Sequence, residues 1–182
     1  MKKLIPAILL FGFFATGNSQ ILLKETKVEY KAPSMQLDPV SNQLVLMIPE
    51  TKFREFETNP LGFVKSQFDI QKTINDNQHG GYDTYRVDFK STHGHLVANF
   101  NEKGDLVSSF QKFKNLRLPD AVRLQILQEY RDANVIGSTY TASSKGWDLK
   151  KELYKIKIRD GDKTRRIKIH KNQNGSLSLA GY

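Results

Sequence analysis

The sequence predicts an α+β fold of two tandem repeats, each a helix followed by an antiparallel sheet, behind an N-terminal strand extension. Apolar and polar residues alternate in two stretches, one starting near Tyr85 and one near Tyr154. A stretch with the apolar spacing of a helix precedes each of them. The 182 residues include no cysteine, so packing must stabilise the chain without disulfides. The predicted domains are a signal peptide (1–19), the strand extension (20–49), a first repeat (50–112) and a second repeat (113–182).

The first 19 residues have the layout of a secretory signal peptide. Lys2 and Lys3 form a basic start, residues 4–14 are mostly apolar, and small and polar residues follow up to the predicted cleavage after Ser19. The apolar run is shorter than the roughly 20 residues that a membrane span needs. We therefore expect a periplasmic or secreted protein with no transmembrane segment after signal removal. The alternative is a membrane anchor that is never cut.

Two short strands are predicted in the extension. Residues 26–30 alternate in polarity, and the apolar run 43–48 ends at Pro49. Pro33 and Pro39 lie in turn-like surroundings between them. We expect an edge strand, a loop and a second strand, in that order.

The first repeat begins with a helical stretch at 50–68, where apolar residues recur one or two turns apart. Pro60 and Gly62 interrupt this stretch, so two helical pieces are expected. A three-strand meander follows, with turns at 92–95 and 101–105. The residues predicted on its apolar face are Tyr85, Val87, Phe89, Leu96, Ala98, Phe100, Leu106, Ser108 and Phe110.

The second repeat begins with a junction between a strand and a helix that is marked by a proline. Pro119 suits the first position of a helix, and Asp120 adds a favourable negative charge to the first turn. Phe113 and Leu118 are predicted to seal the junction. The helix is expected to run to about residue 133. Its predicted apolar stripe is Val122, Ile126, Leu127 and Tyr130.

The strands after this helix can be laid on the first meander without a gap. The matched pairs are Tyr154 with Tyr85, Ile158 with Phe89, Ile167 with Ala98, and Ile169 with Phe100. We interpret this correspondence as an internal repeat. The alternative is that two unrelated hairpins align this well by chance.

Several motifs together resemble the PepSY-like proteins secreted by Bacteroidetes, which are related in fold to β-lactamase-inhibitor-type tandem repeats. The motifs are YDTYRVDF, GHLVANFNEKGDLV, FKNLRLPDAVRLQI, YKIKI and GDKTRRIKI. The resemblance implies two helix-plus-sheet repeats and a binding or inhibitory module, and it transfers no catalytic residue. The chain departs from the family pattern at Gln111, where members often have an acidic residue. Some relatives are labelled nicotinate-nucleotide adenylyltransferase, so a nucleotidyltransferase is the alternative function.

The residues give no sign of catalysis, a metal or a cofactor. There is no cysteine and no Gly-x-Ser-x-Gly motif for a nucleophile. His93 and His95 could share a metal, but no nearby acidic residue completes a set, so both are interpreted as exposed turn residues. The polar segment 75–83 lacks the spacing of a calcium loop and is predicted to be a flexible loop. A nucleotidyltransferase would need a Gly-rich turn, a His-x-x-His pair and alternating strands and helices, which this pattern does not show.

The last strands carry a candidate binding surface on a chain of net charge +9. Four isoleucines alternate with basic residues, which places the basic side chains together on the other face. The predicted partner-binding residues are Lys155, Lys157, Arg159, Arg166, Lys168 and His170. We expect a monomer that binds an acidic protein, a lipopolysaccharide phosphate or an acidic glycan. Nucleic acid is excluded by the predicted compartment and by the few aromatic residues among the basic ones. The alternative is a solvated outer face that only supports solubility.

Overall fold

The computed structural model describes residues 35–38, 43–76 and 82–181. The predicted signal peptide, the strand at 26–30 and the loop with Pro33 and Pro39 lie outside these residues. So do His79 and the middle of the predicted polar loop at 75–83.

Within the described residues, nine strands form one sheet in which each strand lies beside the next one in the chain. They are β1 (Met35–Asp38), β2 (Gln43–Met47), β3 (Thr84–Lys90), β4 (Gly94–Asn101), β5 (Leu106–Lys114), β6 (Asn134–Lys145), β7 (Asp148–Asp160), β8 (Lys163–Lys171) and β9 (Leu177–Gly181). Neighbours are antiparallel except β2 and β3, which are parallel. A parallel pair needs a crossover connection, and the first helices lie on it.

In the part of the chain that the structure describes, four α-helices accompany the sheet: α1 (Phe53–Thr58), α2 (Pro60–Gln67), α3 (Ile70–Asp76) and α4 (Asp120–Glu129). A short 3-10 turn (Glu50–Lys52) precedes α1. The predicted break in the first helical stretch is confirmed. Pro60 is the first residue of α2, and the Asn59 side chain caps that helix by accepting the N–H of Gly62 at 3.1 Å. The helix α3 was not predicted.

The predicted fold class is wrong, because the chain does not form two helix-plus-sheet repeats. β5 pairs with β6 from Ser108 to Lys114, so both halves belong to one mixed sheet. The first half has three helices on a parallel crossover, whereas the second has one helix and four antiparallel strands. The correspondence between the two sets of strands has a simpler cause than a repeat. Every antiparallel hairpin with one buried face alternates apolar and polar residues with the same period. The boundary predicted after residue 112 falls inside β5.

The predicted meander is present, but the side chains of its third strand after Val107 point to the opposite faces from those predicted. Asn99 lies opposite Ser108 and Phe100 lies opposite Leu106, so Val107 is an extra residue that forms a β-bulge. A one-residue shift moves every following side chain to the other face. Phe110, predicted to face inward, is therefore 45% exposed. The inward residues beyond the bulge are Ser109, Gln111 and Phe113.

The predicted second helix is present as α4, which begins directly after Pro119. Val122 and Ile126 are buried as predicted, but Leu127 is 44% exposed. The helix ends at Glu129, before the predicted end near residue 133. Phe113 and Leu118 are buried at the junction as predicted, and the ring of Phe113 packs edge-on against that of Phe56.

Two hydrophobic cores lie on the helix-covered face of the sheet. The first includes Phe56 and Val64 of the helices α1 and α2, packed on β2 to β5. The second includes Val122 and Ile126 of α4, packed on the isoleucines of β7 and β8. Between the two cores a row of paired residues crosses the sheet through Gln111, Ala142, Glu152 and Lys171. We call the opposite side of the sheet the open face.

Candidate functional site

The six basic residues predicted from the sequence lie together on the open face. We call them the basic strip: Lys155, Lys157 and Arg159 on β7, and Arg166, Lys168 and His170 on β8. The isoleucines that alternate with them are buried in the second core. Five members of the strip are exposed, and Lys168 is half-buried. The strip is therefore a surface that a partner can contact.

The strand register places like charges directly opposite each other. Lys155 faces Lys168, and Lys157 faces Arg166. Like-charged residues at opposed positions destabilise a sheet, whereas opposite charges would stabilise it. The chain therefore concentrates positive charge at this place although mixed charges would favour the fold.

A hollow of about 350 Å³ lies within this charged surface, above Gly137 of β6. We call it the Gly137 hollow. A Cβ atom added to Gly137 would be 3.8 Å from Asn115 Oδ1 and 4.0 Å from Lys157 Cβ, which are ordinary van der Waals contacts, so a methyl group would fit there without a clash. The cations that line the hollow are Lys114, Lys155, Lys157 and Arg166. Cations on three strands thus surround one depression.

Lys114 is the member of this group that was not identified from the sequence. It lies on β5, and the register places it opposite Thr139, which in turn lies opposite Lys155. The alternation of Lys112 and Lys114 along β5 was visible in the sequence. Their position beside the last strands depended on the pairing of β5 with β6, which the sequence does not show.

The charge around the hollow is not neutralised by acidic neighbours in the part of the chain that the structure describes. The ion pairs among the described residues involve other cations, such as Arg165 with Asp160 at 3.0 Å and Lys171 with Glu152 at 2.9 Å. Lys114, Lys155, Lys157 and Arg166 take part in none of them. The hollow therefore carries a local excess of positive charge that attracts anions.

A second polar group lies on the helix-covered face. The hydroxyl of Tyr140 donates a hydrogen bond to Glu152 Oε2 at 2.9 Å, and Lys171 Nζ lies 2.9 Å from Glu152 Oε1. Burial, together with the charge of Glu152, raises the pKa of Tyr154 to about 12, and the pKa of Tyr140 is raised further by the same causes. Both phenols are therefore neutral at physiological pH.

The two histidines considered as metal ligands have separate surroundings. His93 Nδ1 lies 3.1 Å from both carboxylate oxygens of Glu57, which also accepts a hydrogen bond from Ser91 Oγ at 2.7 Å. His93 is an exposed turn residue as predicted, and its contact with Glu57 ties the turn before β4 to α1. His95 lies on β4, opposite Lys112. Among the described residues, no three acidic or histidine side chains are grouped as metal ligands would be.

No protein-family model and no curated protein matches this chain. The resemblance to PepSY-like proteins therefore stays a prediction. Within the described residues, no helix has the length and apolar character needed to cross a membrane.

Proposed function

We propose that this protein is a non-enzymatic binding module that docks an anionic surface of another protein or of the cell envelope through its basic strip. The observation that carries the proposal is the opposition of Lys155 to Lys168 and of Lys157 to Arg166 beside the Gly137 hollow. This arrangement costs stability, and a partner with the opposite charge would offset that cost.

The spacing of the strip favours a partner that carries several negative groups. Neighbouring strands lie about 4.8 Å apart, and alternate residues along one strand lie about 7 Å apart. The strip therefore forms a grid of cations on this scale rather than one compact pocket. Arg166 can bind a phosphate, sulfate or carboxylate through two parallel hydrogen bonds, whereas the lysines act as point charges. A polyanionic glycan, a phosphorylated lipid surface or an acidic protein patch fits this grid.

A pair of charge reversals tests the proposal without weakening the fold. Lys155→Glu and Lys157→Glu together would place a carboxylate opposite Lys168 and another opposite Arg166, so the folded state should be at least as stable as before. Retention on heparin, vesicles with anionic lipid, and binding to an acidic protein column distinguish the three partner classes. We expect affinity for the preferred class to fall at least about tenfold, since each cation near an anionic surface contributes about 1 kcal/mol.

The control is Lys72→Glu with Lys103→Glu, which changes the net charge equally at exposed positions outside the strip. An equal loss of binding in both double variants would show that net charge alone is responsible. Full retention of binding by the strip variant would contradict the proposal.

The expected compartment and oligomeric state are part of the proposal. We propose export to the periplasm or beyond, on the strength of the predicted signal peptide at 1–19. We also propose a monomer, which light scattering after gel filtration would test. Fractionation of cells that produce the full chain would show the export.

A further inference from the structure

A cleft of about 940 Å³ lies on the helix-covered face, far larger than the Gly137 hollow and on the opposite side of the sheet. We call it the inner cleft. Its floor is formed by residues of β5 to β8 that separate the two hydrophobic cores, Gln111, Ser138, Tyr140, Glu152, Tyr154 and Lys171. Its walls are the junction between α1 and α2 and the segment 116–120 that leads into α4. A volume of this size is typical of ligand sites.

Gln111 is the feature of the floor that the fold does not explain. It is 1% exposed, and its Oε1 atom has no hydrogen-bond partner among the residues that the structure describes. Its pairing with the neighbouring strands places this residue inward, between Leu96 and Ala142 in the cross-strand row. An unpaired polar group at a buried site destabilises a protein, and an apolar residue of similar shape would remove that cost. A glutamine held there without a partner indicates a ligand that supplies one.

The rest of the floor is already arranged. Glu152 holds the Tyr140 hydroxyl on one carboxylate oxygen and Lys171 on the other, so its negative charge is engaged. The ring of Tyr140 packs against that of Tyr154, with their centroids 4.9 Å apart. These contacts fix two aromatic rings beside Gln111, and a ligand would find a preorganised surface.

The cleft is lined by two arginines that are not held in ion pairs with the described residues. Its three acidic residues each have a cationic or histidine partner: Glu57 has His93, Asp120 has Arg123, and Glu152 has Lys171. Arg54 and Arg117 also line the cleft, and neither forms an ion pair with any described residue. Two arginines are therefore available for a carboxylate, which they can bind through paired hydrogen bonds.

We propose that the inner cleft binds a short peptide with a free carboxylate. The side-chain amide of Gln111 carries one acceptor and one donor group, the same pair that a peptide unit presents, so the two can hydrogen-bond to each other. Leu61, Leu116 and Leu149 line the cleft and offer contact to an apolar side chain. Arg54 and Arg117 bind the carboxylate. This site is independent of the basic strip, because it uses other residues on the other face.

The test uses N-acetyl-leucyl-glutamate as the probe and its uncharged analogue N-acetyl-leucyl-glutaminamide as the matched control. Binding to the full chain is followed by NMR through the side-chain amide signal of Gln111 and by thermal shift. We expect a saturable shift of that signal, and binding about tenfold weaker for the uncharged analogue because the charge-assisted hydrogen bonds are lost.

Two variants separate a ligand site from a water-filled gap. Gln111→Met should raise the melting temperature and reduce affinity for the probe at least about tenfold, since it removes the unpaired amide and the peptide contact together. Arg117→Gln, at an exposed position, should weaken binding of the charged probe and leave binding of the uncharged analogue unchanged. The variant Lys155→Glu with Lys157→Glu should bind the probe normally, which distinguishes this proposal from the one for the basic strip.

Three results would overturn the proposal. The first is the absence of a saturable shift of the Gln111 signal with probe up to about 10 mM. A dissociation constant above that concentration is too weak for a specific site. The second is equal binding of the charged and uncharged probes. The third is a Gln111→Met variant that is more stable and binds the probe as well as the unaltered protein does.

Discussion

Two glycines on β4 and β6, the strands on either side of β5, show opposite tolerance to a side chain. At Gly137 a Cβ would make ordinary van der Waals contacts, 3.8 Å from Asn115 Oδ1 and 4.0 Å from Lys157 Cβ. At Gly94 a Cβ would collide with the backbone carbonyl oxygen of Lys112 and would lie 2.7 Å from Phe113 Cα. Gly94 is therefore required by the close approach of β5, whereas Gly137 keeps a hollow open at a position where the fold would accept a larger residue.

We expect Gly137→Ala to raise the free energy of unfolding by about 0.5 kcal/mol, because it restricts the unfolded chain at a position without a steric clash. Gly94→Ala should lower it by about 2 kcal/mol, because the backbone of β5 must move away. Urea unfolding followed by circular dichroism measures both. Similar changes in the two variants would show that the hollow is not open in solution.

The strand β5 contributes residues to both faces of the sheet. A single extra residue in this strand lets Leu106, before the bulge, and Gln111 and Phe113, after it, all point to the helix-covered face. Lys114 lies beside the basic strip on the open face. One strand therefore contributes a residue to each of the two proposed sites.

Deleting Val107 should leave the fold intact, since the residues after it keep their phase and the strand becomes regular. The expected cost is about 1 kcal/mol, for the loss of the hydrogen bond from the Gly146 N–H to the Val107 carbonyl.

The matched control for this deletion is removal of Lys112, after the bulge. It would turn Phe113, which is fully buried, to the open face, at a cost of about 3–5 kcal/mol. Thermal unfolding of both deletions gives the comparison. If deletion of Val107 lowered the stability as much as deletion of Lys112 does, Val107 would not be an extra residue that the strand can lose.

At the scale of the whole molecule, two cores share one sheet. The first core lies under α1 and α2, the second lies under α4, and the strands β5 and β6 connect them by continuous pairing. The inner cleft lies between the cores on the helix-covered face, where polar residues replace apolar packing. The basic strip lies on the open face, behind the second core. The cleft and the strip can therefore act separately on one sheet.

The shared sheet predicts a single cooperative unfolding transition. Phe89→Ala in the first core and Ile167→Ala in the second should each lower the midpoint of the whole transition, with losses of about 2–5 kcal/mol. Fluorescence of Trp147, the one tryptophan of the chain, and far-ultraviolet circular dichroism should give coincident curves. Two transitions, each sensitive to one variant, would instead show that residues 50–112 and 113–182 fold separately.

The sequence by itself determined the features that depend on near neighbours along the chain. Alternation placed the strands and gathered the basic residues of β7 and β8 on one face. Pro60 marked the break between two helices, and Pro119 marked the start of α4. These features follow from backbone periodicity and from the restricted geometry of proline, both of which act locally.

Only the tertiary structure decided which distant segments meet. The parallel pairing of β2 with β3, the single sheet in place of two repeats and the bulge at Val107 all arise from hydrogen bonds between strands. A period of two is the same on either side of a bulge, so the sequence alone did not show that Gln111 faces inward or that Lys114 lies beside the basic strip. Both proposed sites depend on such pairings, because a strand's neighbours and its phase are set by contacts between residues far apart in the chain.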